Sequence, residues 1–169
     1  DQIKNITYAR NNCRLCLSKE IELAVNIGKS PISEKYVKKE NLNNIIPKVS
    51  LDLYFCKNCF HVQLIDVVNP DFLWADFTFK TARDIKLIKH FKDYVKRVNK
   101  VEKIHNQDLI IDVGSNDGTL LQCFKDKGFE NILGIDPADQ IVDQANLSGI
   151  RTIKGYFNLE LAIKISKTD

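Results

Sequence analysis

Residues 109–124 read LIIDVGSNDGTLLQCF. An apolar run of strand type enters a turn that holds Gly114 and Gly118, and the segment after it spaces its apolar residues as a helix does. The same order follows twice more. NILGID (131–136) reads as a strand and ADQIVDQANLSG (138–149) as a helix closed by Gly149; RTIKG (151–155) and NLELAIKI (158–165) read as a third pair. Strand and helix alternating in this way predict a parallel α/β sheet with right-handed crossovers, of Rossmann-like type.

The first turn carries the chemistry. In such a sheet a ligand sits over the carboxyl ends of the strands, and the loop after the first strand meets it through backbone groups that a large side chain would block. Gly114 and Gly118 meet that need, but the middle position of a dinucleotide G-x-G-x-x-G is Asn116, and no third glycine falls in place. A ligand with adenosine and ribose but no pyrophosphate fits this turn, and S-adenosylmethionine (SAM) is such a ligand. Asp136, ending the second strand, is placed to accept from the ribose hydroxyls, and Asp112 or Asp117 to lie near the amino and sulfonium groups. The competing reading is a pair of turn glycines and a helix-capping aspartate in a sheet without ligand.

Two further motifs stand upstream. CRLC (13–16) and CKNC (56–59) supply four of the five cysteines. A C-x-x-C knuckle directs two thiolates at one ion, and two knuckles supply the four sulfurs of a closed zinc site: Cys13, Cys16, Cys56 and Cys59. LDLYF (51–55) and FHVQLI (60–65) flank the second knuckle as strands of a hairpin, as in zinc ribbons. Iron or redox chemistry is the alternative, although a thioredoxin-like centre leaves the second pair unexplained. Cys123 reads as a small core residue on a helix and His61 as an ordinary strand histidine.

Length and composition agree with this reading. A chain of 169 residues can bury a core without covalent staples, and no stretch resembles a signal peptide or a membrane span. A cytoplasmic location is expected, where paired C-x-x-C motifs serve metals or catalysis more often than disulfides. The net charge of +3 asks for neither nucleic acid nor membrane as partner. The chain starts at Asp1 and contains no methionine, which fits a piece of a larger protein.

Between the motifs, residues 38–47 read as a loop. Thr81 and Asp84 read as a capping box for an amphipathic helix that turns Ile85, Ile88, Phe91, Val95 and Val98 inward and a lysine-rich face to solvent. The expected division is a zinc-binding domain at 1–75, a connecting helical segment at 76–105, and at 106–169 the first three strand–helix units of a SAM-binding domain.

CRLC, CKNCFHVQL, DVGSNDGTLL and GIDPA, in this order, resemble the sugar C-methyltransferases, which carry an N-terminal zinc-binding domain before a SAM-binding domain. The resemblance runs over nearly the whole chain. It implies methyl transfer from SAM to a ring carbon of a nucleotide-linked 4-keto-6-deoxysugar, zinc on the four cysteines, and SAM surrounded by Gly114, Ser115, Asn116, Asp117, Gly118 and Asp136. Where the family often has D-Y-x-Y, this chain has Asp76, Phe77, Thr78 and Phe79. The family's acid/base segment and C-terminal domain are expected after Asp169, so no catalytic base is assigned here, and His61 and His90 are weak candidates. A zinc-ribbon RNA methyltransferase and a non-catalytic binding module are the alternative functions.

Overall fold

The computed structural model describes residues 6–33, 35–43, 47–75 and 77–168. The chain divides into two compact units, Asp1–Leu73 and Trp74–Asp169. Asp76 and part of the 38–47 loop lie outside the described residues.

The first unit is built from short antiparallel pairs. Strands β1 (Thr7–Ala9) and β7 (Asp66–Val68) pair, as do β3 (Lys29–Pro31) and β4 (Lys48–Ser50). The largest sheet has the order β2-β5-β6, from Ile21–Val25, Leu53–Cys56 and Val62–Leu64. Leu53 faces Leu64 and Phe55 faces Val62, so the second knuckle closes the expected hairpin. Strand β2 ends at Val25, with a register shift after Leu23. Helix α1 (Pro70–Trp74) follows at the boundary with the second unit. Among the described residues here, the buried hydrophobics are Cys13, Val49 and Cys56. Two of these three are knuckle cysteines, so apolar burial alone supplies little to hold this unit together.

The second unit has a conventional core. Its parallel sheet has the order β10-β9-β8, from Thr152–Lys154, Ile132–Asp136 and Ile110–Val113. Ile110 lies opposite Ile132, and Asp112 and Thr152 both lie opposite Gly134. Strand β9 is buried at every position, as expected of a strand covered on both faces. On one side Ile132 packs with Leu121, Cys123 and Phe124 of α3 (Thr119–Lys125), with Ala145 of α4 (Asp139–Leu147), and with Val95 of α2 (Ile85–Val101). On the other side Leu133 and Ile135 pack with Ile165 of α5 (Leu159–Ile165). Cys123 is a core residue, 5% exposed. Mixed α/β architecture with a short parallel sheet is thus present. No helix among the described residues is long and apolar enough to cross a membrane.

Helix α2 corrects two details. Its cap is Asp84 alone, whose carboxylate accepts from the N–H groups of Lys86 and Leu87 at 2.8 and 3.1 Å. Thr81 instead opens a separate 3-10 turn, Thr81–Arg83. Ile85 is therefore the first helical residue and is 82% exposed, whereas Val95, two to three turns on, is 1% exposed.

Gly134 is the tightest point of the sheet. A Cβ there would lie 2.5 Å from Ser115 Oγ and 2.7 Å from Thr152 Oγ1, inside contact distance of two buried side chains. Gly134→Ala is expected to lower the denaturation midpoint, with a loss of about 1–3 kcal/mol from overpacking. Unchanged urea unfolding of this variant would show that the sheet can open at no cost.

Candidate metal centre and candidate cofactor crevice

The two knuckles fold by the same local rule. The N–H of Leu17 returns to the carbonyl of Cys13 at 3.0 Å and that of Phe60 to Cys56 at 2.9 Å. Cys13 N–H reaches Ser18 O at 2.8 Å, and Cys56 N–H reaches His61 O at 2.9 Å. Each loop thus closes on itself with the residue after its second cysteine in the left-handed region, Leu17 and Phe60 both at φ 63°. Non-glycine residues there carry strain, tolerated where the surrounding bonds impose it.

The loops bring four thiols together. The Sγ atoms of Cys13, Cys16, Cys56 and Cys59 all lie within 4.8 Å of one another, with Cys13–Cys59 and Cys16–Cys56 both at 3.6 Å. A tetrahedral zinc with sulfurs at about 2.3 Å has sulfur–sulfur edges of about 3.8 Å. The donor set therefore fits zinc in number, chemistry and spacing, and four thiolates leave no open position for water or substrate. Hydrogen bonds to sulfur come from Leu15 N–H onto Cys13 at 3.4 Å and from the Asn58 amide onto Cys16 at 3.5 Å.

Four thiols this close do not all ionise unaided. The Asn58 amide, then the Ser18 backbone, hold Cys16 down to about 6. The His61 backbone favours the Cys59 thiolate, but burial and the three neighbouring cysteines overcome it and push Cys59 up to about 12. Without a cation some protons must stay on the cluster, so a dication enters by displacing them.

Gln63 joins the two knuckles, a role the sequence reading missed. It is 4% exposed; its Oε1 accepts from Arg14 N–H at 2.8 Å and its Nε2 donates to Asn12 O at 3.0 Å. A residue of the second hairpin thereby fixes the backbone on either side of Cys13. The signal was a glutamine at an inward position of a short strand, where an apolar residue is the default.

The second site lies in the other unit. A cavity of about 330 Å³ opens at the carboxyl ends of β8, β9 and β10, lined by Trp74, Phe77, Val113, Asn116, Asp136 and Tyr156 among others. Of the seven residues expected around a cofactor, Gly114, Asn116 and Asp136 line it, whereas Asp112, Ser115, Asp117 and Gly118 do not. Gly114 has φ 80°, and a Cβ there would meet nothing within 4 Å. Gly118 has φ 78° and packs so closely that a Cβ would lie 2.7 Å from Ile150, so it is a packing glycine. Asp136 is 7% exposed and accepts from Asn116 N–H and Ala138 N–H, each at 2.9 Å. Its carboxylate holds the turn while facing the cavity, and it keeps lone pairs for a further donor.

The remaining residues are engaged otherwise. Asp117 accepts from Thr119 N–H at 3.3 Å and from Ala82 N–H at 2.8 Å, at the start of α3. Ser115 Oγ is buried without a partner among the described residues. Burial, then the charge of Asp136, push the Asp112 carboxyl up. His61 and His90 are not in the cavity lining.

Metal binding tests the first site. The chain is expected to take up one zinc with release of protons, and acidification should weaken binding, because protons compete for the thiolates that the metal needs. Gln63→Leu should lower zinc affinity about tenfold or more, since two backbone groups beside Cys13 lose partners at about 1–3 kcal/mol each. Competition titration against a chromogenic chelator reads both effects; affinity indifferent to pH and to Gln63 would contradict them.

Comparison with known proteins agrees with the geometry. Residues 13–74, which span all four cysteines, match the family described as "Putative zinc binding domain". Over 164 residues, 97% of this chain, it is 25% identical to the C-methyltransferase NovU of Streptomyces niveus. The chain spans 39% of the length of that relative. The zinc-binding-domain match over the thiol cluster, joined to likeness with a C-methyltransferase over nearly the whole chain, bears out the resemblance to a C-methyltransferase that carries a zinc-binding domain.

Proposed function

We propose that the chain is the zinc-binding and cofactor-binding part of a SAM-dependent C-methyltransferase acting on a nucleotide-linked 4-keto-6-deoxysugar. The carrying observation is the cavity over the carboxyl ends of a parallel sheet, with a buried carboxylate at its edge and aromatic rings in its wall. In this reading residues 1–75 form the zinc domain, 76–105 the connecting segment and 106–169 part of a Rossmann-like SAM domain.

The residues present fit the cofactor. Gly114 leaves backbone exposed where a side chain would project into the cavity, and Asp136 offers an acceptor for hydroxyl donors. Trp74, Phe77, Tyr156 and Phe157 supply aromatic faces for a flat heterocycle. SAM, when bound, supplies an electrophilic methyl group. The protein's own part is to orient it, to keep water away with the aromatic wall, and to place the sugar carbon in line. Removal of a proton beside a ketone needs a positioned base. Asp136 has both oxygens engaged by backbone N–H groups and acts as acceptor, so the base is not assigned to it. The zinc, closed by four thiolates, takes no part in the transfer and serves the fold.

Calorimetric titration of the chain with S-adenosylhomocysteine tests the reading. Saturable binding at one site is expected, and Asp136→Ala should weaken it by about 1.5–3 kcal/mol, roughly tenfold or more. Absence of binding to the folded, zinc-loaded chain would remove the cofactor assignment, and an unchanged dissociation constant for the variant would remove Asp136 from the site.

A further inference from the structure

The wall of the cavity is held by the turn. Residues 77–80 have no regular secondary structure, so their backbone groups need partners from elsewhere. Asn116 supplies one for the Phe79 carbonyl and holds Thr81, the residue that follows. Its Oδ1 accepts from the N–H and the hydroxyl of Thr81 at 3.1 and 3.2 Å, and its Nδ2 donates to the carbonyl of Phe79 at 2.9 Å. The next residue continues the pattern, with Asp117 Oδ2 accepting from Ala82 N–H at 2.8 Å. Lys80, between them, is tied by its ammonium to Gln144 on α4. Residues 79 to 82 are thus each bound by one or more side chains of the α/β body.

What this segment carries is the aromatic wall. Phe77 stacks edge-on against Trp74 at 5.3 Å and lies 6.4 Å from Phe79, and Trp74 and Phe77 both line the cavity. Ring contacts are permissive of sliding, whereas two directed hydrogen bonds between one amide and the main chain, with a third to the Thr81 hydroxyl, fix the segment. An asparagine amide can make four hydrogen bonds, and three of the four are taken here. Its side chain therefore has little left for a ligand. Its φ of 50° turns that side chain toward residues 79–81 while leaving its N–H on Asp136.

We propose that Asn116, assisted by Asp117, is a positioning residue for the aromatic wall: it clamps residues 79–82 to the glycine turn, so that the floor of the cavity at Gly114 and Asp136 and the wall at Trp74 and Phe77 form as one unit. The proposal stands whatever molecule occupies the cavity. A ligand that orders the turn therefore also orders the wall.

Trp74 is the only tryptophan in the chain, so its fluorescence reports the wall directly. The variant is Asn116→Gly, which removes the clamp but keeps the left-handed backbone and the N–H to Asp136. In the ligand-free chain, well below its melting temperature, Trp74 should become more accessible to acrylamide. Amide exchange at Thr81, whose N–H loses its acceptor, should accelerate by roughly two- to tenfold, the factor for loss of one hydrogen bond, and exchange at Ala82, still held by Asp117, by less. Thr81→Val, which loses the hydroxyl alone, should shift both readouts the same way by less, and it decides the matter if Asn116→Gly does not fold. Unchanged quenching and exchange, with or without a fall in S-adenosylhomocysteine affinity, would overturn the proposal. Failure of the wild-type chain to bind that ligand bears on the cofactor assignment and leaves these ligand-free readouts standing.

Discussion

Four thiols converging within 4.8 Å are the constraint on which the first unit depends. Its strands run three to five residues and its buried hydrophobic set, among the described residues, is Cys13, Val49 and Cys56. With the unit's other described apolar side chains only half-buried or exposed, burial falls short of the conformational entropy of several dozen ordered residues at about 1–2 kcal/mol each. A structural zinc contributes about 10–16 kcal/mol in small metal-dependent domains, which is the scale needed. The strained φ of Leu17 and Phe60 fits the same logic: both loops are bent for the ion, and hydrogen bonds back to Cys13 and Cys56 hold the bend.

The second unit solves its problem differently. A central strand buried at every position, helices on both faces and close glycine contacts give it a core independent of metal. Its cost is concentrated at the carboxyl ends of the strands, where Asp136 is buried and Ser115 Oγ lacks a partner among the described residues. Such local departures from full satisfaction are expected where a protein binds something.

Much of this was legible in the chain. Paired C-x-x-C spacing carries its own geometry, and alternating strand and helix patterns locate the parallel sheet. What could not be read were side-chain destinations. Asn116 and Asp117 sit in a glycine turn that looks like ligand machinery, yet the Asn116 amide and Asp117 Oδ2 go to Thr81, Phe79 and Ala82, 35 or more residues away in sequence. Gln63 and Gly134 carried no motif, because their roles exist only once Asn12 and Arg14, or Ser115 and Thr152, arrive beside them. The capping of α2 shifted for the same reason: Thr81 was drawn to Asn116, and Asp84 was left to cap.

The most direct measurement is hydrogen exchange along the chain before and after zinc is stripped by a chelator, with metal loss verified by elemental analysis. The account predicts that protection collapses across residues 7–68 while β8, β9, β10 and the helices packed on them keep theirs. Retained protection in the first unit after complete loss of metal would contradict it.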